Sequence, residues 1–371
     1  MCTRMDEARH GRTPRASSPP APPRQHLLSN KPRFLKHCWV LAATTLMATT
    51  TAGAQGVGEF GAAAVAVDGS RGSQSAEQCA VSPAWNRQVD PENYEFGCKE
   101  IEEMLKGRTS LVGHGRIRDV YLVEFRDQVV VLKTLRETGD PKRQKAHFSM
   151  HRREALSLDA VRGHPNVVGM LGVCNSTIVT EYYSIHFDQV ILRQQQKFPI
   201  DTMVSMALDA ARGLQALHEA SASPIVHFDL KPQQLLMDEL GRVLVNDLNM
   251  AQFMDLDANG RSCPFVINSP VKAVAWRAPE SVAGKPLTEK VDIYGMGMIF
   301  YTLISGKTPF PKSEAAAGMI MRGERPYIDP SWHEGYMQVV KDMWEYEPEA
   351  RPTARQVVER LENVQDSLPP S

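Results

Sequence analysis

Asp229 and Asp247 are the two carboxylates in this chain best placed to act together. HFDLKPQQLL at 227–236 and VNDLNMAQF at 245–253 each set one of them just past a short apolar stretch. In such a pair one carboxylate can accept the proton of an attacking hydroxyl while the other holds a divalent metal on a nucleotide. That division of labour is what phosphoryl transfer requires. Upstream, Gly113-His114-Gly115 precedes Val120-Tyr121. Glycines there would let backbone amides approach a phosphate where a Cβ would intervene; taken alone the pattern is better read as a simple hairpin turn, and its position ahead of VVVLK makes the phosphate reading credible. Lys133 lies in an apolar run beside Val131 and Leu132. Burying its ammonium is costly without a partner, and the bland alternative is a surface lysine whose stem snorkels.

These residues need a scaffold, and the periodicity supplies one. CKEIEEML (98–105) has helical spacing, whereas LVGHGRIRDVYLVEF (111–125) and QVVVLKTL (128–135) alternate and are rich in Val, as paired strands are. Residues 142–160 read as a charged amphipathic helix, and HPNVVGMLGVC (164–174) and TIVTEYY (177–183) as two further strands. From Asp201 the chain turns helical, with Met203, Met206, Ala207, Ala210, Leu214 and Leu217 on one apolar face. Later helices are expected at 289–305, 333–346 and 353–366. Strands first and helices later make an α+β chain with a small β-rich lobe joined to a larger helical one.

The 371 residues are 42% hydrophobic with a formal net charge of -1, enough for two lobes with cores and no basis for a nucleic-acid partner. Six scattered cysteines without a CxxC pair argue against a disulfide scaffold and a structural zinc site. Residues 1–37 are rich in Arg, Pro and Ser and read as a disordered basic leader; after Asp6 and Glu7 no acid occurs until Glu59. Residues 38–58 are charge-free and short for a span, with Ala52-Gly53-Ala54 resembling a cleavage site. Three readings stay open: a signal peptide behind a long leader, an uncleaved type II anchor, and an organelle transit peptide. The two secretory routes lead. Residues 59–97 read as a Gly/Ala/Ser-rich stalk.

Across about residues 100–366 the order and spacing of these motifs resembles the protein kinase superfamily. The resemblance implies a kinase domain at 98–366, with its N-lobe at 98–181 and its C-lobe at 182–366. It also implies ATP with Mg²⁺ or Mn²⁺ as cofactors and a protein or glycoprotein substrate, bound by a monomeric kinase domain. By the same resemblance Gly113, Gly115 and Val120 cover the nucleotide, and Lys133 contacts its phosphates and pairs with Glu154. Glu154 also has a bland reading as part of a solvated face with Arg152 and Arg153. Thr180 to Tyr183 would form the gatekeeper and hinge, with Glu181 and Tyr183 meeting adenine. Asp229 would be the catalytic base, Lys231 would steady the transferred group, and Asp247 and Gln234 would hold metal.

The departures from the usual pattern are Arg118 for the third glycine, Phe228 for an arginine, Gln234 for an asparagine, and Asp247-Leu248-Asn249 for Asp-Phe-Gly. Phe228 implies that no phosphorylation switch runs through that position. Ala278-Pro279-Glu280 would close the activation segment with Arg351 as its partner, and Asp292 would brace the catalytic loop. Lys272 and Ala273 stand where a threonine is usual before Trp276, leaving the substrate class open. Asp-Leu-Asn, the CKEIEEML lead-in and the basic tail with its apolar segment are also similar to the protein O-mannose kinase family of lumenal kinases. That likeness implies a sugar hydroxyl as acceptor. An active kinase, a pseudokinase scaffold and a glycan kinase are therefore the three expectations. A lumenal chain would make Asn175-Ser176-Thr177 a glycosylation sequon and allow Cys79 and Cys98 to bridge, the alternative being free thiols.

Overall fold

The computed structural model describes residues 79–369 apart from 81, 108, 116, 194–197, 222, 268–273 and 312–314. The leader, the 38–58 segment, residues 59–78 and the pair Lys272-Ala273 lie outside the described residues. Among the described residues no helix is long and apolar enough to cross a membrane.

The alternating Val-rich runs fold into β1 (Thr109–His114), β2 (Arg118–Phe125) and β3 (Gln128–Leu135). With β4 (Met170–Cys174) and β5 (Thr177–Glu181) they form one antiparallel sheet in the order β1-β2-β3-β5-β4. Its register sets Lys133 opposite Val120 on one side and Ile178 on the other. Arg126 and Asp127 turn the β2–β3 hairpin with φ of 48° and 65°, both left-handed as a tight two-residue hairpin demands. The expected strand over 164–174 is extended only from Met170. Pro165 has no N–H to give a ladder, and the chain turns there, with Val167 N–H donating to the His164 carbonyl at 3.2 Å.

The lead-in packs on this sheet. In α1 (Cys98–Lys106), Ile101 and Met104 join Phe96, Val123, Val130, Leu132 and Val179 in one apolar cluster. Phe96 N–H donates to the Leu171 carbonyl at 2.9 Å. The two backbones cross so closely that a Cβ at Gly172 would lie 2.5 Å from the Phe96 carbonyl oxygen, which reserves the position for glycine. α2 (Pro141–Ala160) starts as its sequence dictates: the Asp140 side chain accepts from Lys142 N–H at 2.9 Å, and Pro141 fills the first turn.

The cysteines pair differently from the sequence expectation. Cys79 and Cys98 do not bridge each other; Cys98 joins Cys174 and Cys79 joins Cys263. The reason is packing. The start of α1 lies against β4 and brings Cys98 within a Cα separation of 5.1 Å of Cys174. A backbone bridge between Ala80 and Leu256 carries Cys79 to 6.3 Å from Cys263. Both separations are ordinary for disulfides.

The second lobe comprises α3 (Phe187–Arg193), α4 (Ile200–His218), α5 (Pro279–Val282), α6 (Lys290–Ser305), α7 (Ala315–Met321), α8 (Glu334–Met343) and α9 (Ala354–Ser367). α4 buries the expected Met and Leu face, and α9 packs along it. α6 buries every residue from Val291 to Ile304, as a helix apolar on all sides must at the centre of a lobe. Arg351 is fully enclosed and forms a double hydrogen bond with Glu280, at 2.6 and 2.9 Å. Short strands β6 (Ile185–His186), β8 (Leu235–Met237) and β9 (Val243–Val245) form one ribbon, and β7 (Ile225–Val226) pairs with β10 (Gln252–Phe253). These ribbons hold the two aspartate runs: HFD follows β7, and DLN lies between β9 and β10.

Candidate active site

Lys133 is 5% exposed on β3, and its ammonium donates to Glu154 Oε1 at 2.7 Å. Glu154 sits on α2 with no exposure at all, so it belongs to the site and not to a solvated face. Its other oxygen accepts from Arg118, whose second terminal nitrogen donates to Asp247 Oδ1. Arg118 is itself 6% exposed, at the start of β2 and directly after the glycine-rich loop. Two cations and two carboxylates thus interlock across β2, β3, α2 and the DLN run. Burial first and then the Arg118 guanidinium push the Lys133 ammonium down to about 7, while Asp247 opposes the fall. Burial raises the Asp247 carboxyl, but Arg118 and then Lys133 outweigh it and hold the group below its usual range. His151, on α2, is pushed down to about 4 by burial, then by Arg118 and Lys133, and is neutral at pH 7.

Asp247 adopts the left-handed region at φ 64° and ψ 63°, with Leu248 buried behind it in a short 3₁₀ turn. Gly113 lies against Val120, where a Cβ would come 3.3 Å from the valine Cβ; Gly115 N–H donates to the Arg118 carbonyl at 2.9 Å. Thr180 is buried at the end of β5. Beyond it, Glu181 Oε2 accepts from Gly169 N–H at 2.9 Å and from the Tyr183 hydroxyl at 2.8 Å, which fixes the connection between the lobes. Burial, then the bond to Glu181, raises the Tyr183 hydroxyl.

The catalytic loop hangs from Asp292, whose carboxylate accepts from the backbone N–H of His227 at 2.6 Å and of Phe228 at 2.9 Å. His227 Nε2 donates to the Asn246 carbonyl at 2.9 Å and Nδ1 accepts from Asp229 N–H at 3.3 Å, so the ring is a packed strut between the two runs. Asp229 Oδ2 accepts from Lys231 at 2.6 Å and from the Gln234 amide at 2.7 Å. Asp229 Oδ1 accepts from Arg277, which also donates to the Phe228 carbonyl and stacks over the Phe228 ring at 4.9 Å. An arginine from the end of the activation segment therefore meets the phenylalanine that stands where one is usual.

Lys133, Glu154 and Asp247 come together in one cluster, and Asp229, Lys231 and Gln234 in a second, joined through His227 and Asn246. Sequence reading missed the partnerships of Arg118 and Arg277. A signal existed for each. Arg118 is two residues from Val120 on the same strand and so shares the face that looks toward Lys133's neighbours, and Arg277 directly precedes the Ala-Pro-Glu run.

A triphosphate fits this donor set: Gly113 and Gly115 carry no Cβ to keep it off the backbone, and Glu154 holds the Lys133 ammonium in place. The two residues expected to hold metal each have a protein partner: Asp247 Oδ1 accepts from Arg118, and the Gln234 amide donates to Asp229.

Comparison with known proteins agrees with this geometry. The sequence model of the protein kinase domain matches residues 107–361. Serine/threonine-protein kinase STY46 of Arabidopsis thaliana is 28% identical over 263 residues, covering 68% of this chain and 43% of the relative. Dual specificity protein kinase shkA of Dictyostelium discoideum is 28% identical over 279 residues, 72% of this chain and 51% of the relative. The chain thus spans about half the length of these two relatives. Serine/threonine/tyrosine-protein kinase HT1 of Arabidopsis thaliana is 26% identical over 309 residues, 77% and 76% of the two chains. The chain belongs to the protein kinase domain family.

Proposed function

We propose that the chain is an ATP-dependent phosphotransferase of the Ser/Thr type that passes the γ-phosphate to a hydroxyl of a protein substrate. The observation that carries this reading is the contact between Lys133 and Glu154 at 2.7 Å, with Asp247 tied to the same cluster through Arg118 and Asp229 joined to it through His227 and Asn246. That pairing distinguishes a kinase domain arranged for transfer from one in which α2 has swung away. Gly113 and Gly115 cover the phosphates, Val120 packs over adenine, and the backbone of Glu181 and Tyr183 holds the adenine edge. Lys133 binds the α/β-phosphates. Asp229 accepts the proton of the acceptor hydroxyl as its oxygen bonds to the γ-phosphorus and ADP departs; Lys231 offsets charge on the moving group. Asp247, with Gln234 beside Asp229, would hold a divalent metal, which when bound neutralises phosphate charge.

A secretory-lumen or extracellular setting is part of the same proposal. It is supported by two disulfide pairings and by Asn175, which is exposed in the β4–β5 turn of the sequon. A second reading, a nucleotide-binding scaffold without transfer, is favoured by one observation: both oxygens of Asp229 already have cationic or amide partners.

The purified chain, incubated with γ-labelled ATP, Mg²⁺ and a mixture of protein acceptors, is expected to label polypeptide. Asp229→Ala should lower that rate by at least about 100-fold, within the usual range for removing a general base. No labelling by a chain that binds ATP would move the assignment to the scaffold. Labelling of glycopeptides alone would move the acceptor to a sugar hydroxyl.

A further inference from the structure

Arg118 has the placement of a cofactor ion. It is anchored in β2 immediately after the glycine-rich loop, and the loop closes over it: Gly115 N–H binds the Arg118 carbonyl, and a Cβ at Gly115 would come 3.0 Å from that oxygen. Arg136, the residue after β3, pins the same loop, donating to the Gly115 carbonyl at 2.9 Å, and its N–H donates to the Ile117 carbonyl at 3.0 Å. The guanidinium then reaches past Lys133 to join Glu154 with Asp247. Any group that spans from the loop amides to Asp247 meets this guanidinium on the way.

The charges decide what that means. Lys133, Glu154 and Asp247 without Arg118 sum to one excess negative charge, which repels a triphosphate until a divalent cation arrives. With Arg118 the same cluster, lysine protonated, is neutral; His151, on the buried face of α2, is uncharged at pH 7 and adds nothing to the sum. His151 is 2% exposed, and neither of its ring nitrogens has a hydrogen-bond partner. A guanidinium is also permanently charged and has five N–H donors, more than its two carboxylate contacts use.

Resting on the nucleotide-binding reading above, we infer that Arg118 is a built-in cation that does electrostatically what a metal ion on Asp247 would do. The site takes up the phosphates of ATP without divalent metal. A metal, when it binds, must compete with Arg118 for Asp247.

Calorimetric titration of the chain with ATP, in excess EDTA and again in excess Mg²⁺, tests this directly. The wild type should bind in both, with affinities within about threefold of each other, since the charge-assisted contact to phosphate is already present. Arg118→Gly, which restores the glycine of the usual pattern, should lose at least about tenfold in EDTA while keeping its affinity in Mg²⁺. Arg118→Gln, which retains hydrogen-bonding groups in the buried position, supplies the neutral variant if the glycine chain does not fold, and Arg118→Lys should retain binding in EDTA. A wild type that binds ATP only with Mg²⁺ would overturn the inference and leave nucleotide binding standing. So would neutral variants that bind in EDTA as tightly as the wild type. Absence of ATP binding under either condition would overturn the nucleotide reading itself.

Discussion

At the level of single side chains, the site is governed by one buried carboxylate shared between two cations. Glu154 gives one oxygen to Lys133 and the other to Arg118. The guanidinium next door keeps the lysine easier to deprotonate than usual, down to about 7 against an ordinary 10.5, after burial has made the larger contribution. The protonated lysine is the form that attracts phosphate. ATP affinity measured in Mg²⁺ should therefore be greatest below about pH 7 and fall as pH rises through it. Arg118→Gly removes one of the two lowering influences, so the fall should move to higher pH. Calorimetry at a series of pH values reads this directly, and a wild-type affinity flat from about pH 6 to 9 would contradict it.

At the level of elements, the question is what holds the end of the activation segment without the usual arginine of the catalytic loop. Phe228 cannot form an ion pair, but its ring carries the Arg277 guanidinium at 4.9 Å and stacks edge-on with Phe265 at 6.1 Å. Arg277 completes the link by binding Asp229 and the Phe228 carbonyl. The end of the segment is thus tied to the loop by the Arg277 side chain. Arg277→Ala breaks a largely buried ion pair as well as the stacking, so it should cost about 2–4 kcal/mol. Urea denaturation measures that loss, and limited proteolysis should show new cleavage between residues 255 and 277. Unchanged stability and an unchanged digest would argue against the tie. Arg277→Lys should recover only part, because an ammonium does not stack and fork as a guanidinium does.

Across the chain, two disulfides set how far the fold is constrained before it forms. Cys98–Cys174 fastens the lead-in helix to the sheet across 76 residues, and Cys79–Cys263 fastens residues before the kinase domain to the activation segment across 184. Closing loops of this length limits the unfolded chain, and each bridge should contribute about 2–4 kcal/mol. Denaturant midpoints with and without reductant, and for Cys98→Ser and Cys79→Ser, should show that loss. Identical midpoints would mean free thiols and would remove one support for an oxidising compartment.

Much of this was legible beforehand. Strand alternation around Lys133, the Met/Leu face of α4, the Asp140-Pro141 helix start and the order of the motifs are local patterns, fixed by periods of two and 3.6 residues and by capping chemistry. From them follows the α+β architecture, while Lys133, Glu154, Asp229 and Asp247 were singled out by the resemblance that the order and spacing of the motifs carry. Partnerships across long separations were not legible. Arg118 looked like a missing glycine until folding brought it to Glu154, 36 residues away, and to Asp247, 129 away. Cys98 looked nearest to Cys79 until α1 docked on β4. Which charges and thiols meet depends on how strands, helices and loops close on one another, and spacing along the chain carries almost none of that information.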